Sequence, residues 1–231
     1  MKNILKLWIV TMLFLGMGIS PRLVPAADGT GAMATAARLQ AAYEDTGGLI
    51  ADFRQHTTMQ LNRRSKSGSG TVVFLKPGLM RWDYLAPDRQ ILISDGKTIT
   101  MYFEKTQQMI VTAAREYLQS DVTYSFFAGS GNIMEDFTIS AGDSTVDDRA
   151  GTGLIKLVPQ KAHPQISRLY VWVDDETSLI HRIRMVDHFD TVTDLFFDNI
   201  RQLSGTDPNG PAIDSKLFSF SPPPGTEIIN Q

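Results

Sequence analysis

Between Leu79 and Tyr84 apolar and polar positions alternate, with Met80, Trp82 and Tyr84 on one side and Leu79, Arg81 and Asp83 on the other. A strand sends successive side chains to opposite faces, so one face of this predicted strand carries three large, soft or aromatic groups. Such a face suits a packed core or the wall of a pocket, and alternation alone does not decide between them. The same period of two runs through "LIADFRQHTTMQL", where Ala51, Phe53, Gln55, Thr57, Met59 and Leu61 share a side. It returns in "TVVFL", which stops at Lys76-Pro77-Gly78, and in "QILIS", which ends at Ser94-Asp95-Gly96-Lys97. Asp-Gly between apolar runs is a hairpin signal. "TITMYFE" and "QQMIVTA" pair around Lys105-Thr106, and "EDFTISAGD", "GTGLIKLVPQ", "ISRLYVWVDDETSLIHRIRMVD" and "TVTDLFFDNIRQL" continue the pattern.

Helical spacing is clearest over residues 32–48, where Leu39, Ala42, Tyr43 and Thr46 recur on one face before Gly47-Gly48 stops the run. Residues 62–70, rich in Ser, Gly and charge, read as a turn or flexible loop. Residues 115–135 break the alternation and read as a short helix or two. Pro222-Pro223-Pro224 excludes a central strand there. One early helix, a long run of antiparallel strands and a helical insertion predict a mainly β fold with a few helices. A sheet this large curls into a strongly curved sheet or barrel, and the helices must cover one of its faces.

The first stretch stands apart. Lys2 and Lys6 precede an uncharged apolar run at residues 7–19, and small residues follow at Val24, Ala26 and Ala27. This is the plan of a secretory signal, with cleavage expected after Ala26 or Ala27; an uncleaved anchor is the alternative. The run is short for a bilayer span, which needs about 20 residues. The expected organisation is a cleaved signal at 1–26 and a single domain at 27–231. Losing Lys2, Lys6 and Arg22, and no acid, takes the formal charge from −3 to −6. A mildly acidic exported chain is a poor match for nucleic acid or anionic membranes, which attract basic patches. The absence of cysteine excludes disulfides, thiolate metal sites and cysteine nucleophiles, and fits a bacterial periplasm.

Catalytic motifs are missing. His56, His163, His181 and His188 have no metal-ligand spacing, and no G-x-S-x-G occurs. The acidic run at 173–176 lacks calcium-ligand spacing and reads as a hairpin tip. No enzyme activity and no cofactor are expected. What stands out is flexible apolar content: among the chain's 10 methionines, Met59, Met80, Met101, Met109, Met134 and Met185 lie in or beside predicted elements. Methionine suits irregular or changeable apolar surfaces, although for any single one ordinary core filler is the better reading.

"ADFRQ" at 51–55, "FLKPGLMRWDYLAPDRQILISDGKTI" at 74–99 and "KLFSFSPPPGTEI" at 216–228 resemble the outer-membrane lipoprotein carrier family, LolA. The resemblance implies an unclosed antiparallel β-barrel with an α-helical lid. It also implies a periplasmic chaperone that takes acylated lipoproteins from an inner-membrane ABC transporter and passes them to an outer-membrane acceptor. By position, the family's cavity wall falls on Met80, Trp82 and Tyr84, with Met101 on the same face and Arg81 and Asp83 on the solvated back; its lid matches Leu39 and Tyr43, and its first strand starts with Phe53 and Gln55. The basic residue before the first Pro, commonly Arg in the family and touching the closed lid, is Lys76 here. A monomer is expected. The same fold also serves envelope-stress sensors, usually with a second domain, and carriers of other lipids; the chain's end shortly after "SPPPG" points to a carrier.

Overall fold

The computed structural model describes residues 29–114, 131–143, 146, 150–203 and 214–231. The expected signal at 1–26 and most of the expected insertion at 115–135 lie outside the described residues. Helix α1 (Gly29–Asp45) begins three residues before the apolar pattern suggested. It buries Ala32, Thr35, Ala36, Leu39 and Tyr43, and Thr46 just beyond its end, at steps of one, three or four. Thr46 Oγ1 donates to the Ala42 carbonyl at 2.9 Å, satisfying one of the carbonyls that a helix end leaves without a partner.

The strands are β1 (Gly48–Met59), β2 (Arg64–Leu75), β3 (Leu79–Ala86), β4 (Gln90–Asp95), β5 (Thr98–Phe103), β6 (Gln108–Ala113), β7 (Phe137–Ala141), β8 (Thr152–Pro159), β9 (Arg168–Asp174), β10 (Ile180–Val186), β11 (Val192–Leu203) and β12 (Glu227–Asn230), with a one-turn helix α2 (Ile133–Asp136) before β7. They form one 12-stranded sheet in the order β12-β6-β5-β4-β3-β2-β1-β11-β10-β9-β8-β7. Among the described residues β12 and β7 are its two free edges, so the sheet does not close. Inner-face residues from both halves, such as Trp82 on β3 and Ile155 on β8, join a single buried cluster with Ala36 and Leu39 of α1. The sheet is therefore curled, and the helix covers its inner face.

Two expectations are corrected. Residues 64–70, read as loop, are the first half of β2, paired residue for residue with β1 from Arg64↔Met59 to Gly70↔Phe53. Ser and Gly have poor strand propensity, but a long neighbouring strand supplies the ladder bonds that propensity does not. Leu61, placed in the β1 alternation, lies in the hairpin turn and is 82% exposed. β12 runs parallel to β6, unlike the other strand pairs among the described residues, which are antiparallel. It arrives by a crossover, not a hairpin, and a crossover can bring a strand in parallel.

That crossover also changes the reading of the outer face. Leu217, Phe218 and Phe220 pack over Ile91, Ile93, Tyr102 and Met109. Arg81 and Asp83, expected on a solvated back, have side chains only 15% and 22% exposed. Arg81 donates to Asp83 Oδ1 at 2.9 Å and to the Leu217 carbonyl at 2.8 Å. Further along the outer face, Arg182 lies between the rings of Trp172 and Phe196, 4.3 and 4.8 Å from their centroids. Both Arg182 and Arg184 pair with Asp194, at 2.8 and 2.9 Å.

Candidate functional site: the cavity between the two halves of the sheet

Strand β3 is the hinge of the site. Its inner face carries Met80, Trp82 and Tyr84, as alternation predicts, and all three line a cavity of about 490 Å³. Phe74 of β2 and Leu92 of β4 extend this wall. The opposite wall comes from the other half of the sheet, with Met185 of β10 and Leu195 of β11. The loop at Pro164–Ile166 and the turn from Asp187 to Thr191 complete the lining. Sequence reasoning missed these last two segments and did not assign Met185, Thr193 or Leu195. The alternation of Thr193, Leu195 and Phe197 marks an inner face, but only the curl of the sheet brings that face opposite β3.

The lining is not wholly apolar. The strand register places Tyr84 beside Gly70, and Gly70 beside Phe53. With no side chain between them, the Phe53 and Tyr84 rings meet edge to face at 4.7 Å. The Tyr84 hydroxyl donates to Gln55 Oε1 at 2.8 Å. Gln55 Nε2 donates to Thr57 Oγ1 at 3.3 Å, and the Thr57 and Thr193 hydroxyls bond at 3.0 Å. At the rim, Asp187 accepts from the Phe189 and Thr191 N–H groups at 2.8 and 2.7 Å. Desolvation opposes ionisation of Asp187, but these amides outweigh it and hold the carboxyl below its usual range. Nε2 of His188 is 2.8 Å from the His163 carbonyl, which ties the two rim segments together. Phe189 is 70% exposed at the edge of the cavity.

The remaining predicted positions sit beside the cavity rather than in its wall. Leu39, Tyr43 and Phe53 are packed in the core, 0%, 7% and 1% exposed, and Met101 packs against the same cluster. Phe53 touches the Trp82 ring at 4.7 Å. Burial pushes the Tyr43 phenol far above its ordinary range, so it stays neutral, and its oxygen accepts from the Ile180 N–H at 3.4 Å. Lys76, in the turn between β2 and β3, reaches the end of α1: its Nζ donates to the carbonyls of Tyr43 and Glu44, at 2.5 and 3.1 Å. A cation on the last carbonyls of a helix satisfies them and complements the negative end of the helix dipole. Among the described residues no group of three or more His, Cys, Asp or Glu is placed to hold a metal.

An open, curled sheet with a helix on its inner face and a cavity between its halves defines a half-barrel class of protein. Residues 44–221 match the family described as Outer membrane lipoprotein carrier protein LolA, and the chain belongs to that family. Among its relatives, an outer-membrane lipoprotein carrier protein from Methylococcus capsulatus is 30% identical over 193 residues, 83% of this chain and 86% of that one. Another of the same description, from Nitrosomonas europaea, is 27% identical over 164 residues, 71% of this chain and 73% of that one. The fold is shared with an uncharacterized conserved protein from Thermus thermophilus, at a TM-score of 0.53 and 12% identity, covering 87% of this chain and 99% of that one.

Proposed function

We propose that the chain is a periplasmic lipoprotein carrier that shelters cargo acyl chains in the cavity behind β3. It receives them from an inner-membrane ABC transporter and delivers them to the outer membrane. Membership of the carrier family supports the cargo class. The single observation that carries the site is the cavity walled by Met80, Trp82 and Tyr84. Residues 1–26 act as the export signal and 27–231 as one carrier domain, working as a monomer by binding, without catalysis or cofactor.

The energetics explain the design. Each buried CH₂ contributes about 0.8 kcal/mol, so several long chains in a perfectly fitted cavity would be held too tightly to be released. A volume of about 490 Å³ falls within the roughly 300–1,000 Å³ that encloses one drug-sized ligand. Full loading therefore requires α1 to lift and add Leu39, Tyr43, Phe53 and Met101 to the apolar surface. Lys76 is the latch that opposes this, through the Tyr43 and Glu44 carbonyls. Displacing packed helix surface costs free energy, which lowers net affinity and makes transfer to an acceptor feasible.

The test is isolation of the protein from periplasm, together with a stalled transporter, followed by mass spectrometry of bound lipid. Co-purifying lipoprotein or acylated peptide is expected; its absence from repeated preparations would defeat the reading. Trp82→Glu, a carboxylate in the wall, should abolish loading. Met185→Glu, at a half-buried lining position that tolerates a charge more readily, keeps the test decisive if Trp82→Glu does not fold.

A further inference from the structure

The cavity has two chemically different ends, and strand register says which is which. Phe74 and Met80, opposite each other on β2 and β3, lie toward the end where Lys76 meets α1. Tyr84, Gln55 and Thr193 line the other end, next to the rim turn from Asp187 to Thr191, with Thr57 opposite Thr193 in the β1–β11 register. These four side chains form a continuous hydrogen-bonded strip across β3, β1 and β11. Glycines at 68 and 70 of β2 keep the strip unbroken: a Cβ at 68 would come within 3.1 Å of the Tyr84 ring, and one at 70 within 1.8 Å of the Asp83 carbonyl.

Polar groups beside apolar ligand cost free energy unless they are hydrogen-bonded, so what matters in this strip is any donor its own bonds do not use. The Gln55 amide carries two N–H donors. One is used on Thr57, leaving the second with no partner among the described residues. An amide donor on a cavity wall is complementary to an acceptor that has no donor of its own, such as the carbonyl oxygen of a carboxylic ester or amide.

We infer that Gln55, backed by Tyr84, Thr57 and Thr193, is a carbonyl-recognition subsite that binds the ester or amide carbonyls joining acyl chains to their cargo. The inference rests on the acyl-carrier reading above and adds an orientation: chain ends toward Phe74 and Met80, linkage carbonyls at Gln55, cargo peptide leaving past Phe189. Tyr84 and the threonines are positioning residues that hold the amide in place. A hydrogen bond of this kind is worth roughly twofold to tenfold in affinity.

The experiment measures binding of two synthetic probes to the exported protein: a cysteinyl peptide carrying a diacylglyceryl group, and the same peptide with both esters replaced by ethers of equal chain length. The diester is expected to bind about twofold to tenfold more tightly. Gln55→Met, which keeps side-chain length and removes the donor, should bring the ratio close to one, and Thr193→Val should lower it less. Equal binding of diester and diether by the unaltered protein overturns the subsite and leaves the carrier reading standing. A preference that persists in Gln55→Met also overturns it. Binding of neither probe overturns the carrier reading, and the inference falls with it.

Discussion

The rings of Phe53 and Tyr84 touch at 4.7 Å across a strand that lies between their own, because the residue separating them is Gly70. The contact binds β1 to β3 over β2, beside the cavity that Tyr84 lines. A Cβ at position 70 would lie 1.8 Å from the Asp83 carbonyl, so β2 and β3 would have to separate. Gly70→Ala should destabilise the protein by about 2 kcal/mol or more, in the manner of overpacked cores. Urea denaturation checks this. At Gly68 the nearest neighbour is the movable Tyr84 ring at 3.1 Å, and Gly68→Ala should cost distinctly less.

Lys76 predicts a local effect. Charge-assisted bonds of a half-buried ammonium to two helix carbonyls should contribute about 1–2 kcal/mol to keeping α1 seated. Lys76→Leu should raise hydrogen exchange within α1 roughly tenfold while leaving β1 unchanged, as expected of a helix that opens independently. Lys76→Arg should preserve protection, since a guanidinium fork can reach both carbonyls. Equal exchange in Lys76→Leu and the unaltered protein would remove Lys76 as a latch.

Asp194 is 8% exposed and pairs with both Arg182 and Arg184. Asp194→Ala leaves two poorly solvated guanidinium groups without their shared partner. A loss of about 2–4 kcal/mol is expected, the lower values reflecting the 15% and 26% exposure of the two arginines. Because Arg182 stacks on Trp172, tryptophan fluorescence should report the change alongside the unfolding midpoint.

Asp187 predicts a pH response at the rim. Its carboxyl is held below the usual range, so its contribution is complete above the unfolded value near 3.9 and is lost as pH falls through the lower folded value. Acidification below about pH 4 should therefore loosen the turn that carries Phe189. Faster exchange of the Phe189 and Thr191 amides, relative to those of β1, is the expected signal. Asp187→Asn should show that faster exchange already at neutral pH. A pH-independent turn would rule this out.

The sequence by itself determined the elements and their faces. Period-two alternation placed Met80, Trp82 and Tyr84 together, and period-3.6 spacing placed Leu39 and Tyr43 together, because side-chain direction follows directly from local backbone geometry. Glycine and proline marked most of the turns for the same local reason. Local pattern failed wherever a distant partner decided the outcome. Residues 64–70 are strand because β1 supplies the hydrogen bonds, and Arg81 is covered because the crossover before β12 lies on it. β12 is parallel because of the route the chain takes to reach β6. Above all, the difference between core and cavity wall was not local. Phe53 and Tyr84 pack on each other on neighbouring inner faces, yet only Tyr84 also borders the cavity. Only the curl of the sheet, which brings β10, β11 and their rim turn opposite β3, decides which inner-face residues also border the cavity.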